Sequence, residues 1–332
     1  MRSGDFVHQC INPLTRDLGT PLLAYRIFVP LLAWLIGAPA WLDLALPYAA
    51  SICLLSLVAV IVAARGGRRL GFLAALLVGL SYAVIWPDCM LGYPDSVAHL
   101  LALLLVITRR HWKIAAIVLA GLFTDERFIL ELPLVALWRF SLSPLDRRLL
   151  SWAVIPTAAA FCSWLLLRHA LTVGWIGAGI PKIATYSDIA GITRSFRPSI
   201  GSWSRWSLNV LESFRWGWGV IVSAAIVRWR RGLPLEVGFL IAVLGVSVLS
   251  TIVVFDVARS VGFSFLALPL AFLWLNEIGA GIRVGRIAAW LCMLTPAFWF
   301  VPTGIIWWRP LALRIVAYVT SNDPMAWQHA VW

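Results

Sequence analysis

The chain has 332 residues, of which 61% are hydrophobic and only 13% are charged. Its mean hydropathy of +0.88 and the apolar stretches that recur from residue 21 to residue 308 exclude a disordered protein and predict a polytopic α-helical membrane protein. The net charge of +12 does not indicate nucleic-acid binding, because the basic residues form short clusters at the ends of apolar runs. Continuous rather than alternating apolar runs argue against membrane β-strands.

Helices are predicted wherever the apolar runs are long enough, which gives about 10–11 helices in an all-α fold. The first segment is either a full span or a helix that lies in the outer interface, and the second case places Asp5, His8 and Asp17 outside. The predicted segments are 24–41, 44–64, 70–86, 95–108, 114–123, 128–138, 149–167, 208–227, 235–255, 260–276 and 287–306.

The sequence contains no repeat and no soluble domain longer than a loop, so we expect residues 1–332 to form a single integral membrane domain. Residues 1–20 are a polar N-terminal segment, too polar for a signal peptide, and residues 170–206 form an outer loop with a basic excess. This excess suits an anionic lipid or substrate headgroup, although long loops also translocate regardless of charge. The five cysteines lack paired spacing, which predicts neither a zinc site nor a disulfide framework.

Five basic clusters, at 65–69, 109–113, 139–148, 228–231 and 283–286, fix the orientation. The positive-inside rule places all five in the cytoplasm, so each intervening stretch crosses the membrane an even number of times. On this threading nearly all acidic residues close to the membrane fall outside. We therefore expect the chemistry to face the outer side of an inner membrane.

Residues 114–138 carry the tetrapeptide Thr124-Asp125-Glu126-Arg127 between two basic clusters. One continuous helix would place three charges near the bilayer centre, each costing at least ~2.5 kcal/mol. Two short helices that meet at the tetrapeptide keep both clusters inside, and we predict this arrangement. Because such helices cannot cross a hydrocarbon core about 30 Å thick, the acidic turn is expected in a water-accessible, outward-facing cleft.

Intramembrane acids such as Asp125 and Glu126 predict a functional site. The alternative is a loop whose Arg127 pairs with Glu131 one turn later. Upstream, Asp95 and His99 lie four residues apart on one helical face. In the functional interpretation they are a base and the residue that orients it, or two metal ligands. In the alternative, Asp95 caps the helix and His99 makes a buried polar contact between helices.

Downstream, Asp256 and Arg259 are three residues apart. They can pair with each other, or Arg259 can bind a phosphate, whose oxygens match the guanidinium fork.

These residues resemble the GT-C superfamily of membrane glycosyltransferases, in particular its small bacterial members. The resemblance covers about residues 5–275. It rests on Tyr25-Arg26 followed by Pro30-Leu31-Leu32, on Gly92-Tyr93-Pro94-Asp95, on Thr124-Asp125-Glu126-Arg127, and on Asp256-Val-Ala-Arg259 ahead of a helix with Pro269.

The resemblance implies transfer of a sugar from a polyprenyl-phosphate donor to an acceptor on the periplasmic face. Asp17 or Asp95 would remove the acceptor proton, and Arg259 would stabilise the departing phosphate. Asp125 and Glu126 would orient the acceptor or hold a divalent Mg or Mn ion. In the family a transmembrane helix precedes the first outer loop, whereas no apolar segment precedes Asp5 here; either Asp5 or Asp17 is the first-loop acid, or that acid is missing.

The resemblance further implies that Tyr25, Arg26, His99, Arg127 and Asp256 help to bind the substrates. A transporter or lipid flippase is the main alternative, because intramembrane charges also mark transport pathways. A non-catalytic membrane scaffold is a third possibility, in which the acids are incidental.

Overall fold

The structure, a computed structural model, describes residues 12–14, 26–37, 40–89, 93–142, 147–176, 202–253, 256–301 and 304–308. These residues are predominantly helical, which confirms the predicted class. The helices are α1 Phe28–Leu35, α2 Ala40–Gly66, α3 Arg68–Gly79, α4 Tyr82–Cys89, α5 Asp95–Ile107, α6 His111–Thr124, α7 Leu132–Leu142, α8 Arg147–Val173, α9 Trp203–Phe214, α10 Gly217–Arg230, α11 Pro234–Ser250, α12 Val257–Gly262, α13 Ala267–Asn276 and α14 Gly281–Leu294. Glu126–Leu130 and Thr251–Val253 form 3-10 helices.

Two of the described helices are long and apolar enough to cross a membrane, α2 over Ala45–Gly66 and α8 over Ala153–Val173. The pair α9 and α10 would make a third span if the two helices are counted as one, although they meet at an angle of 77°. Several shorter helices, including α5, α6 and α11, are equally apolar.

Three segments predicted as single helices are each broken into two: 70–86 gives α3 and α4, 208–227 gives α9 and α10, and 260–276 gives α12 and α13. Polar side chains mark the breaks. The Ser81 hydroxyl donates to the Val78 carbonyl, and the Ser264 hydroxyl donates to that of Ser247. Arg215 adopts a positive φ of 53°, while its guanidinium donates to the Thr295 hydroxyl at 2.9 Å. A hydropathy profile averages over single polar residues and contains no information about their hydrogen-bond partners, so it did not predict these breaks.

The prediction of a helix over 287–306 is wrong in its second half, where the chain forms two short strands instead. Helix α14 ends at Leu294, and β1 (Ala297–Val301) pairs antiparallel with β2 (Gly304–Trp308). Aromatic and β-branched residues fill both strands and favour extended backbone. Pro302, which follows β1 directly, disfavours a continuing helix.

Contacts divide the chain into two compact units. The first unit comprises residues 1–54 and 90–188, and the second comprises residues 55–89 and 189–332. In the first unit, α6 packs against α1, α5 and α8. In the second unit, α10 packs against α13, α14 against α3, and α9 against α12. Every residue of α13 from Ala267 to Leu275 is buried, as expected for a helix that is apolar on all sides.

Candidate functional site

The acidic tetrapeptide lies in the first unit, between two separate helices. Helix α6 ends at Thr124, Asp125 is extended (φ −156°, ψ 132°), and α7 begins at Leu132. The 3-10 helix Glu126–Leu130 connects them. The prediction of two short helices instead of one continuous helix is therefore confirmed.

Two local features fix this turn. The Asp125 carboxylate accepts a hydrogen bond from the Arg127 backbone N–H at 3.0 Å, which caps the 3-10 helix as an acidic residue commonly caps a helix start. Phe128 is fully buried, and its ring packs where a side chain at Gly121 would stand: a Cβ there would lie 2.5 Å from the ring. Glycine at position 121 thus lets the turn pack closely against α6.

Asp125 is held by two arginines and is completely buried. Arg127 forms a bidentate contact, from Nε to Oδ1 at 2.8 Å and from Nη2 to Oδ2 at 2.7 Å. Arg26, which lies just before α1, approaches Oδ2 with Nη1 at 3.1 Å. Charge-assisted forks of this kind are strong and directional. Both oxygens of Asp125 are engaged, so this carboxylate is suited to positioning the two arginines.

Glu126 differs from Asp125 in its exposure. Its side chain is 32% exposed, and its contact to Arg26 Nη2 is long, at 3.4 Å. Arg26 itself is buried, and its Nε has no hydrogen-bond partner within the described parts of the chain. Glu126 is therefore the solvent-accessible carboxylate of this turn, and it lies next to Arg26.

A buried histidine–carboxylate pair lies beside the turn. His99 Nδ1 hydrogen-bonds Glu131 Oε1, and both side chains are buried. The alternative, in which Arg127 pairs with Glu131, is wrong on this contact, because Arg127 binds Asp125 and Glu131 binds His99. Glu131 Oε2 has no partner among the described residues.

Glu131 lies outside the two described helices that are long enough to cross a membrane. Burial raises the pKa of its carboxyl to about 7, the His99 ring opposes that rise, and the charges of Asp125 and Asp95 add to it. Asp95 is itself buried at the start of α5. The electrostatic coupling places Asp95, Asp125 and Glu131 in one acidic neighbourhood.

The structure thus brings together six of the predicted site residues: Arg26, Asp95, His99, Asp125, Glu126 and Arg127. Asp17 and Tyr25 lie outside the described residues, as does most of the predicted outer loop. Glu131 was not predicted as a site member. Its position one turn after the tetrapeptide was visible in the sequence, but its partner on α5 was not.

Asp256 and Arg259 belong to the second unit. Arg259 is buried, and its Nη1 lies 3.3 Å from Asp256 Oδ2. The mutual pairing that the sequence allowed is confirmed, so Arg259 already has a carboxylate partner.

Within the described ranges no three His, Cys, Asp or Glu side chains are grouped so that they could hold a metal ion. No family model, curated protein or solved structure matches the chain.

Proposed function

We propose that the protein is an integral membrane glycosyltransferase that moves a sugar from a polyprenyl-phosphate donor to an acceptor on the outer face of a bacterial cytoplasmic membrane. The observation that carries this proposal is the accessible carboxylate of Glu126, which stands at the junction of two short helices beside two arginines. The resemblance of 92–95 and 124–127 to the GT-C superfamily supports the same assignment.

The reaction needs a base and a stabiliser for a leaving phosphate. An acceptor hydroxyl oxygen attacks the anomeric carbon of the donor, and the bond from that carbon to the phosphate oxygen breaks with its electron pair left on the phosphate. The hydroxyl proton goes to a carboxylate. In this proposal Glu126 accepts the proton, because it is the accessible acid of the turn.

Arg26 and Arg127 provide the positive charge that the departing phosphate requires. A guanidinium fork matches phosphate oxygens, and the buried Nε of Arg26 has no hydrogen-bond partner in the described part of the chain. Asp125 keeps both arginines in place. The buried pair of His99 and Glu131, with Asp95 nearby, packs beside the turn and holds its position. Asp17 and Asp95 stay proposals for the catalytic base as alternatives to Glu126, and Tyr25 stays a proposal for binding a substrate.

The test is sugar transfer by the full-length protein in lipid vesicles, with a panel of polyprenyl-phosphate hexoses and pentoses as donors. Glu126→Gln should lower the transfer rate by at least ~100-fold, as expected for loss of a general base. Its long single contact predicts little change in thermal stability. Failure of the wild-type protein to consume any donor, or full activity in Glu126→Gln, would overturn the proposal.

Glu277→Gln is the matched control for this experiment. Glu277 is 33% exposed and also contacts arginine, but it lies in the second unit. Once corrected for folded protein, its transfer rate should equal that of the wild type. An equal loss in both variants would mean that the effect reports general damage instead of chemistry at the turn.

A proton-coupled transporter is the second proposal, and one observation favours it. Glu131 is buried beside His99, and its Oε2 has no partner among the described residues. Buried protonatable pairs mark proton pathways in membranes. A transporter would move its substrate into vesicles along a pH gradient, would lose this activity in Glu131→Gln, and would consume no sugar donor.

A further inference from the structure

A groove of about 600 Å³ lies between α10 and α11 in the second unit, within the size range of ordinary ligand pockets. Its walls are apolar side chains from both helices, with Trp218 towards one end and Trp229 towards the other. The single charged residue of the lining is Arg230, in the last turn of α10. The groove therefore has an apolar body and one cationic end.

Arg230 differs from the two arginines next to it. Arg228 binds Glu236 at 2.9 Å and Glu277 at 2.6 Å, and Arg231 also binds Glu277. Arg230 is exposed and makes no ion pair with any described residue. Its positive charge at the mouth of the groove is therefore not paired with a carboxylate of any residue that the structure describes.

The length of the groove matches one leaflet of a bilayer. From Trp218 to Trp229 the helix rises by roughly 16 Å at 1.5 Å per residue, which is about half of a hydrocarbon core 30 Å thick. The positive-inside rule places the 228–231 cluster on the cytoplasmic side. The lipids of that leaflet include anionic phospholipids, which basic pockets between helices recognise.

We propose that this groove binds one acyl chain of an anionic phospholipid from the inner leaflet, with the lipid phosphate on Arg230. The apolar walls alone would not select a lipid, because membrane lipids are equally apolar; selection comes from the charge. The space beside Gly245 is open, since a Cβ at that position would meet no atom within 4 Å. The proposal depends on membrane insertion and not on sugar transfer.

The test uses the full-length protein in phosphatidylcholine nanodiscs that contain a small amount of a photoactivatable lipid. One sample carries phosphatidylglycerol with a diazirine in the acyl chain, and the other carries phosphatidylcholine with the same chain. After irradiation, mass spectrometry maps the labelled peptides. Phosphatidylglycerol should label the α10–α11 groove about fivefold more than phosphatidylcholine does.

Three variants test whether Arg230 and the groove cause the preference for phosphatidylglycerol. Arg230→Gln should reduce it to parity, whereas Arg286→Gln, which changes an exposed arginine on α14 outside the groove, should leave it intact. Gly245→Leu fills the groove and should lower labelling by both lipids. The proposal would be overturned if the two lipids labelled the wild-type groove equally, or if Arg286→Gln and Arg230→Gln lost the lipid preference to the same extent. The labelling ratio of the wild-type protein decides the question even if a variant fails to accumulate.

Discussion

Each unit contains an arginine–carboxylate cluster, and the two clusters differ in how completely their polar atoms are paired. The turn cluster of the first unit consists of Arg26, Asp125, Glu126 and Arg127. The helix-end cluster of the second unit consists of Arg228, Arg231, Glu236 and Glu277. Glu126 and Glu277 are equally exposed, at 32% and 33%. Exposure alone therefore does not distinguish these two carboxylates.

Pairing does separate them. In the helix-end cluster, Glu277 accepts from both arginines, and the Arg228 guanidinium also lies over the Trp274 ring at 5.3 Å. These contacts tie the last turn of α10 to the first turn of α11 and to the end of α13. In the turn cluster, Glu126 has one long contact, and the buried Nε of Arg26 has no hydrogen-bond partner among the residues that the structure describes. Unsatisfied buried polar atoms are rare in proteins and call for an explanation, and a bound substrate would provide one.

The largest effect on stability is expected at the helix-end cluster. Arg228→Gln leaves the Glu236 and Glu277 carboxylates without their shared partner, which should lower the free energy of unfolding by about 3 kcal/mol. Chemical denaturation in mixed micelles measures it. Arg230→Gln, two residues further along, changes an arginine that is exposed and makes no ion pair with any described residue, so its stability should stay within about 0.5 kcal/mol of the wild type. If the two variants unfold alike, the helix-end cluster is not a structural clamp.

Alanine substitutions at two glycines test the packing of the turn cluster. They should change the free energy of unfolding in opposite directions, and by less than Arg228→Gln does. Gly121→Ala pushes a methyl group into the buried Phe128 ring and should destabilise the protein by about 1–3 kcal/mol. Gly219→Ala in α10 meets no atom within 4 Å and should stabilise it by about 0.5–1 kcal/mol.

The double variant Gly121→Ala/Phe128→Leu should recover part of the loss, because a smaller side chain makes room for the methyl group. If Gly121→Ala is as stable as the wild type and transfers sugar normally, close packing against α6 does not hold the turn.

Hydropathy and the charge rule predicted the elements whose signal is local. The long apolar run of α2 and the interruption of 114–138 by charges are both visible in the sequence, because each depends on residues within one or two turns. The helical class and the two helices flanking the tetrapeptide followed from this local pattern.

Features that depend on distant partners were not predictable in this way. Asp125 is paired with Arg26, about a hundred residues earlier, and Glu131 with His99 on another helix; the sequence offers several equivalent partners for each. Arg215 breaks α9 from α10 while it binds Thr295, eighty residues later. Such contacts are set by tertiary packing, so the sequence did not identify these partners, and the prediction of a single helix over 208–227 failed at Arg215.

Single-cysteine labelling, which should have the smallest effect on stability, tests which side of the membrane each cluster faces. Single cysteines at positions 126 and 277, in a cysteine-free background, replace carboxylates of equal exposure, so unequal labelling reports the side and not burial. With a membrane-impermeant thiol reagent on intact cells, position 126 should label, whereas positions 277 and 110 should label only after permeabilisation. If position 126 stays unlabelled while positions beyond 139 react from outside, residues 114–138 cross the membrane once. The later acids then change sides, and an outward-facing transferase site at Glu126 is no longer tenable.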